Sequence, residues 1–463
     1  MSQKSTEPLS RAFAAQAAGR IDEAAALFEQ TLARDPQSVP ALVSLGQILQ
    51  GRGDLVRARD LYARALKIER GIAGLHNNHG AVLVAEGDDT AAIPAFAAAL
   101  TLEPANQLFR YNLASALDRA GRPADAVAHF KEMLAREPGH LQALLGRASA
   151  LFALGRWDEA WADYAHRHRQ HWPEGRRPLP SPPWCGEPLA GRKLLLAYEQ
   201  GLGEQIMFAS HIPELRALGA SLVVECEARL VPLFARSFPE VTVVPWQEPW
   251  RGEVTTGIDF HVTIADAARR LRRGTPGTPA VTGYLKADPL RAAALRARYG
   301  ALAAGRRIVG LSWHSAGVNY GTQKSMPLAA LKPLLARDDL FCVSLQYGAV
   351  PDTAGLHVDV GIDATNDLDA AAAQAMAMDE VITVSNTTAH MAAALGKPVK
   401  LMLPKAAGRI WYWFSGHAGE ARATQDRASG AAHPWYTTLR FYVQGRQGVW
   451  DDVVAQVSAD LGK

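Results

Sequence analysis

Four consecutive polar residues, Ser385, Asn386, Thr387 and Thr388, separate a β-branched run, Val381 to Val384, from a helix-forming run, Met391 to Leu395. Gly396 and Pro398 stop the second run. The first run predicts a buried strand and the second a helix. A strand–turn–helix unit presents free backbone N–H groups and hydroxyls at a helix N-terminus, where about half a positive charge collects. The chemistry this predicts is anion binding, with the turn holding the diphosphate or phosphate of a nucleotide-sugar. The carboxyl end of a strand is where open α/β sheets take ligands. The competing reading is an ordinary N-cap, a role that suits Asn and Thr equally well.

Gly201-Leu202-Gly203-Glu204 forms a second turn before a helix. It invites a dinucleotide reading, with Glu225 or Glu227 near the ribose position. Ile206 stands where a third small residue is needed, which argues against a nicotinamide cofactor. The reading that remains is a second ligand approaching the backbone over the glycines, with Glu204 pointing into a cleft. No metal is predicted. His166, His168 and His171 lack carboxylate or cysteine partners and read as a solvated end of a repeat. Asp367-Leu368-Asp369 has the look of a metal-binding pair but opens a helix, where acids cap. Met376 and Met378 read as core. Trp411 to Phe414 offers either a sugar-stacking face or interdomain packing.

Alternating strand and helix patterns must position these residues. Lys193–Tyr198, Ser221–Cys226, Val241–Val244 and Asp259–Ile264 predict strands, with helices running to about Leu218 and Phe238. A second set follows at Arg307–Trp313, Leu340–Leu345, Val381–Val384 and Leu401–Leu403, with a helix over Leu328–Leu335. The rhythm is that of parallel sheets. It predicts two α/β halves, 191–303 and 304–445, joined near residues 290–305 with a cleft between them, and a C-terminal helix in 446–463.

Ahead of them lies a repeat array. Gly19, Gly53, Gly87, Gly121 and Gly155 recur every 34 residues. Ala24, Ala58, Ala92, Ala126 and Ala160 keep the same period, as do Phe28, Tyr62, Phe96, Phe130 and Tyr164. Leu32, Leu66, Leu100 and Leu134 follow, then Pro36, Pro104 and Pro138, with Arg70 breaking the proline series. This order is the tetratricopeptide (TPR) signature. It predicts five repeats over residues 5–171, an α-solenoid whose groove takes an extended protein partner or mediates self-association. A proline-rich linker, 172–190, includes Pro173, Pro178, Pro180, Pro182, Pro183 and Pro188.

Composition excludes several classes. A net charge of +3 over 463 residues gives no basic footprint for nucleic acid. Three cysteines, Cys185, Cys226 and Cys342, form no CxxC or disulfide framework, which predicts a reducing compartment. No apolar run reaches the ~18 residues of a membrane helix. Met1 to Ser10 lacks the apolar core of a signal peptide. The expectation is a soluble, cytoplasmic protein.

Several stretches, taken in order, resemble the TPR-bearing bacterial glycosyltransferases, which are similar in their catalytic half to heptosyltransferases and O-GlcNAc transferases. They are Glu199 to Glu204 with Met207-Phe-Ala, Gly310 to Trp313, Lys324-Ser…Pro327-Leu, Ser344 to Gly348, Asn386 to His390, Ala394 to Pro398 and Pro434-Trp-Tyr436. The resemblance spans about residues 5–445. It implies a GT-B fold, two Rossmann-like domains facing a cleft, and metal-independent inverting transfer from a UDP- or CMP-linked sugar. It implies no cofactor beyond that donor, and a protein acceptor, flagellin in some members.

Carried over, Asn386, Thr387, Thr388 and His390 would hold the donor phosphates, and Lys324 would neutralise the leaving group. Glu204 would be the general base, where relatives usually carry Asp. Gln346 and Tyr347 would border the base or ribose. Gly201 and Gly203 would let a ligand near the backbone. His211, on the same helix as Glu204, is a second base candidate or a plain helix-face histidine. The sequence departs from the pattern at Glu204, at Ser385, where relatives often carry Asp, and in an enlarged loop over 417–432. Two other readings stay open. One is a scaffold with weak or lost catalysis. The other is a lipopolysaccharide or other carbohydrate acceptor, for which transfer would survive loss of residues 1–172.

Overall fold

The computed structural model describes residues 3–170, 179, 181–247, 256–271, 283–317, 321–405, 410–414 and 433–461. His171, the prolines at 173, 178 and 180, the loop residues Val318 to Tyr320 and the 417–432 loop lie outside the described residues. The chain divides into two compact units, Met1–His166 and Arg167–Lys463.

The first unit is a stack of helix pairs. Ten α-helices run from Gln3–Ala17 to Trp157–Tyr164 among its described residues. The 34-residue glycines sit in the turn inside each pair and all take positive φ, from 71° at Gly155 to 84° at Gly87. A residue with a Cβ is strained there, which explains the period. The periodic aromatics are buried: Phe28, Tyr62, Phe96 and Phe130 are at most 2% exposed. A second small series, unnoticed in the sequence, makes room for them. A Cβ on Gly46 would stand 2.6 Å from the Tyr62 ring, and one on Gly80 2.8 Å from the Phe96 ring. Phe130 is similarly enclosed, since a Cβ on Gly146 would lie 2.5 Å from its ring.

The second unit holds two wholly parallel sheets. The first contains β1 (Lys193–Ala197), β2 (Ser221–Cys226), β3 (Thr242–Pro245) and β4 (Phe260–Thr263), in the order β3-β2-β1-β4. The second contains β5 (Arg307–Ser312), β6 (Leu340–Ser344), β7 (Leu356–His357), β8 (Glu380–Val384), β9 (Val399–Leu403) and β10 (Leu439–Val443), in the order β10-β9-β8-β5-β6-β7. β8 and β9 are buried along their whole length, as central parallel strands flanked by helices must be. β7 and β10 have no counterpart in the sequence reading. β10 pairs in parallel with β9, and its Tyr442 hydroxyl donates to Asp460 on the last helix, Asp451–Leu461.

The stretch near 290–305, expected as a junction, is instead a helix, Pro289–Ala303, capped by Asp288. It belongs with the second sheet. Tyr299 is fully buried, its hydroxyl donating to Asp359 and accepting from Gln374 at 3.1 Å. The elements of that sheet therefore begin at residue 289 rather than 304. The helix expected through Leu218 is also interrupted. It runs over Leu202–Phe208, tightens through Ala209–His211, and restarts at Ile212–Ala217 with Pro213 in its first turn.

Replacing Phe130 with Ala would leave the space between neighbouring repeats empty. The expected loss is about 3–5 kcal/mol for the helices around it. Urea unfolding of the full chain, followed by far-ultraviolet circular dichroism, should show an earlier transition for F130A. An unchanged midpoint would contradict this packing.

Candidate functional site

Each sheet has one point where strand order reverses, and there the connections leave in opposite directions. In the first sheet this lies between β1 and β4, and in the second between β5 and β8. The turns at those carboxyl ends carry the residues singled out above.

After β8, Asn386 is the N-cap of the helix Thr387–Ala394. Its Oδ1 accepts from the Ala389 amide at 3.3 Å and from the Thr383 hydroxyl at 3.0 Å. Its Nδ2 donates to Ser312 Oγ at 2.8 Å and to the His314 carbonyl at 3.0 Å. Asn386 thus ties the end of β8 to the end of β5, and its side chain is fully engaged. Gln346 does the same from β6. Its Oε1 accepts from the Ser312 hydroxyl and from the amides of Trp313 and His314 at 2.8–3.1 Å. Both residues were expected to meet a ligand, but these bonds turn their side chains onto the loop beneath it. Tyr347 accepts from the Ala316 amide at 2.6 Å and shapes the same loop. Thr387 and Thr388 differ. They stand half-buried in the first helical turn, and their hydroxyls have no partner among the described residues.

Lys324 closes the short helix Gly321–Lys324. The loop before it is pinned by Ser325, whose Oγ accepts from the Ser315 amide at 2.9 Å and donates to the Gly321 carbonyl at 2.6 Å. The lysine is buried, yet its ammonium has no hydrogen-bond partner among the described residues. Burial lowers its pKa, against the pull of the Glu204 charge. Water-poor surroundings disfavour an ammonium unless an anion joins it.

Glu204 comes from the other sheet, in the first turn after β1. Burial raises its pKa, opposed by its backbone hydrogen bonds, the Lys324 charge and a hydrogen bond from the Tyr412 hydroxyl. A Cβ on Gly201 would stand 2.9 Å from Glu204 Oε2. The first glycine of the turn therefore leaves room for the carboxylate. The second has a different neighbour, since a Cβ on Gly203 would lie 2.6 Å from His390 Cδ2. At Gly203 the missing Cβ thus makes room for His390 of the helix Thr387–Ala394, and at Gly201 for the Glu204 carboxylate.

His390 is buried and ringed by aromatics. Trp413 stacks on it at 4.6 Å, Tyr412 meets it edge-on at 5.2 Å, and its Nδ1 hydrogen-bonds the Tyr436 hydroxyl at 2.9 Å. Burial, helped by the charges of Lys324 and His433, lowers its pKa to about 3. The Trp411–Phe414 cluster is thus packing for the site, with Trp413 also donating to Ser385 Oγ at 2.9 Å. His211 is fully buried against Phe208 and Trp435, a core position rather than a helix face.

Three further sequence readings are settled by burial. Glu225 does not reach for a ribose; its buried carboxylate accepts from the Tyr198 amide at 3.0 Å. Asp369 pairs with Arg236, and Asp367 caps its helix and accepts from Arg291 at 3.0 Å. Arg167 and His168 are not solvated, as the histidine-rich stretch suggested. Arg167 donates to Glu199 at 2.7 Å and to Asp266 at 3.1 Å, and His168 lies 3.2 Å from Asp266. Glu199 also accepts from the Ala265 amide at 2.8 Å, which anchors the end of β1 beside the Gly201 turn. Only alternation of burial along a folded chain exposes such pairs, so no sequence spacing announces them.

Two descriptions of the tetratricopeptide repeat match this chain, one over residues 15–76 and 119–162 and the other over 77–139. The chain carries a tetratricopeptide array. Among curated proteins it is similar to Protein FlbA of Caulobacter vibrioides, at 30% identity over 332 residues, 65% of this chain and 52% of FlbA. The chain spans about half the length of that relative. The matched stretch exceeds the first unit, so the likeness continues into the α/β region. Similar solved structures include YrrB, a TPR protein with an unusual peptide-binding site, at 18% identity and TM-score 0.34, covering 36% of this chain and 86% of that one. MamA matches at 19% identity and TM-score 0.35, covering 39% of this chain and all of its own. Among the described residues no helix is long and apolar enough to cross a membrane.

The buried neutral His390 makes stability depend on pH. In the unfolded chain a histidine takes up its proton near ~6.5, whereas in the fold its pKa is about 3. Between those values the unfolded state binds more protons, so this contribution is present above the upper value and is lost as pH falls. The slope is at most about 1.4 kcal/mol per pH unit. Comparing unfolding free energies of the wild type and His390→Gln at pH 7 and 5 isolates it from groups common to both. The gap should narrow at pH 5, and a constant gap would contradict the burial.

Proposed function

We propose that the chain is a metal-independent, inverting glycosyltransferase of GT-B type, moving a sugar from a nucleotide-sugar to a protein bound by its repeats. The observation that carries this reading is Lys324. Its side chain is largely buried, its ammonium makes no hydrogen bond among the described residues, and it lies on the connection after β5, where strand order reverses, within electrostatic reach of the Glu204 carboxyl from the other sheet. Such a group calls for an anion, and a nucleoside phosphate supplies one.

In the proposed step the acceptor hydroxyl attacks the sugar carbon, and the bond from that carbon to the phosphate oxygen breaks. Glu204 takes the hydroxyl proton as the general base; burial raises its pKa above the ordinary carboxylate value, which strengthens it as a proton acceptor. The departing phosphate gains charge, which Lys324, the hydroxyls of Thr387 and Thr388 and the N-terminus of their helix are set to receive. The tetratricopeptide array supports a protein acceptor, since stacked repeats present extended surfaces to peptides. Flagellin is one acceptor of that class.

A second reading, a repeat scaffold with lost catalysis, is favoured by the internal engagement of Asn386 and Gln346. Calorimetry with UDP, CMP, GDP and ADP, with and without EDTA, separates the two. The transferase reading expects one nucleotide to bind regardless of EDTA. Lys324→Ala should weaken it about 10–100-fold, the value of a charge-assisted contact. Glu204→Gln should retain nucleotide binding and slow sugar transfer by about 10²–10⁴. Failure of all four nucleotides to bind would sink the transferase reading and leave the scaffold.

A further inference from the structure

Gln200 holds a backbone conformation that a residue with a Cβ does not favour. Its φ is 65°, in the left-handed region. Among the described residues only one other non-glycine, Ala304 at 51°, lies there. Ala304 is the C-cap of the helix Pro289–Ala303, a place where helices commonly end left-handed. Gln200 has no such role. It sits between the end of β1 and Gly201, the N-cap of the helix that carries Glu204. A left-handed residue other than glycine is destabilising, so the conformation persists only where the surroundings impose it.

The residues on either side of Gln200 are fixed by bonds to distant parts of the chain. Ahead of it, the Tyr198 amide donates to the Glu225 carboxylate at 3.0 Å. Glu199 is 3% exposed, and its carboxylate accepts from Arg167 Nη2 at 2.7 Å, from Arg167 Nε at 3.1 Å and from the Ala265 amide at 2.8 Å. Ala265 lies in the first turn of the helix Ile264–Arg270, which follows β4. Arg167 Nη1 donates to Asp266 in the same turn at 3.1 Å. Glu199 and Arg167 together therefore fasten the end of β1 to the element beside it, at the point where strand order reverses. A forked guanidinium on a buried carboxylate fixes direction as well as distance. Beyond Gln200, the Gln205 Nε2 donates to the Gln200 carbonyl at 3.3 Å, while its Oε1 accepts from the Glu227 amide at 2.9 Å. Turning Gln200 to a negative φ would swing all that follows it, including Gly203, which has no spare room against the His390 ring.

We infer that Arg167 and Glu199 are positioning residues: their ion pair holds Gln200 in the left-handed conformation and so sets the Gly201 turn from which Glu204 projects. Neither is a catalytic residue, since both act through the backbone. The role of Glu204 as the base rests on the transferase reading, but the hold on its turn does not.

The test is amide hydrogen exchange on the full chain, read by mass spectrometry on peptides covering Gly201 to Phe208. Arg167→Lys keeps the charge and loses the fork. It should speed exchange in that stretch roughly tenfold, the scale set by the backbone cost of a left-handed residue. Adding Gln200→Gly, which takes positive φ freely, should return the rate to near that of the wild type. Adding Ala304→Gly instead is the control, because it eases the same conformation elsewhere and should leave the turn fast. An unchanged rate in Arg167→Lys overturns the inference, as does a failed rescue by Gln200→Gly. Equal rescue by Ala304→Gly also overturns it, since that marks a general gain in stability. Should Arg167→Lys not fold, judged by circular dichroism, Gln200→Gly alone decides. It should exchange more slowly than the wild type over the same stretch, and an equal or faster rate refutes the strain. Calorimetry with UDP, CMP, GDP and ADP on the wild type keeps the two readings apart: failed binding refutes the transferase, while a failed rescue refutes only this hold.

Discussion

The α/β unit depends on a contact that only glycine permits. Gly203, one residue before Glu204, lies against the His390 ring so closely that a single methyl group would overlap it. Because of this, the helix that follows β1 and the helix that follows β8 meet at the ends of their sheets. Other bonds reinforce the approach across the two halves. The Leu285 amide donates to the Ala394 carbonyl at 3.1 Å, and Arg236 grips Asp369. Two parallel sheets, each with its own reversal in strand order, are thereby held so that Glu204 from one and Lys324 from the other come within electrostatic reach.

Around that contact the polar residues divide by task. Asn386 and Gln346 spend their hydrogen-bonding capacity on the loop between β5 and Lys324, which fixes its path. Buried amides left unsatisfied would cost more than the bonds they form, so their full engagement is expected of structural groups. Lys324, Thr387 and Thr388 are not consumed in this way among the described residues. A rigid, satisfied layer beneath a few unsatisfied groups is the arrangement a binding site requires. Arg167, with Glu199 and Asp266, does the supporting work at the end of β1. Although burial alone would raise it, the Asp266 carboxyl is held well below its ordinary range by Arg167 and His168.

Much of the fold was legible in the residue order. The 34-residue glycine and aromatic series encode turns with positive φ and buried rings, both local demands on residue type. The β-branched runs gave the strands of the two sheets to within a residue or two, because strands buried on both faces show as apolar runs. What escaped was whatever depends on partners distant in sequence. β10 is edge-paired with alternating exposure, and the helix Pro289–Ala303 has a weakly marked apolar face that finds its place only through Tyr299. The small series at Gly46 and Gly80 was missed because its meaning lies in rings 16 residues away.

Residue types and spacing alone determined the repeat array, the alternation of strand and helix, and the cap at Asn386, since each follows from backbone preferences acting over a few turns. Tertiary structure alone decided which polar groups are spent and which are kept. Asn386 and Gln346 looked like ligand contacts until the ends of β5, β6 and β8 came together and took their hydrogen bonds. Gly203 looked like a place for a ligand until a histidine 187 residues further along the chain filled it. The physical reason is that satisfaction of a buried polar group, and the space above a glycine, are properties of the neighbours. The chain names those neighbours only after it has folded.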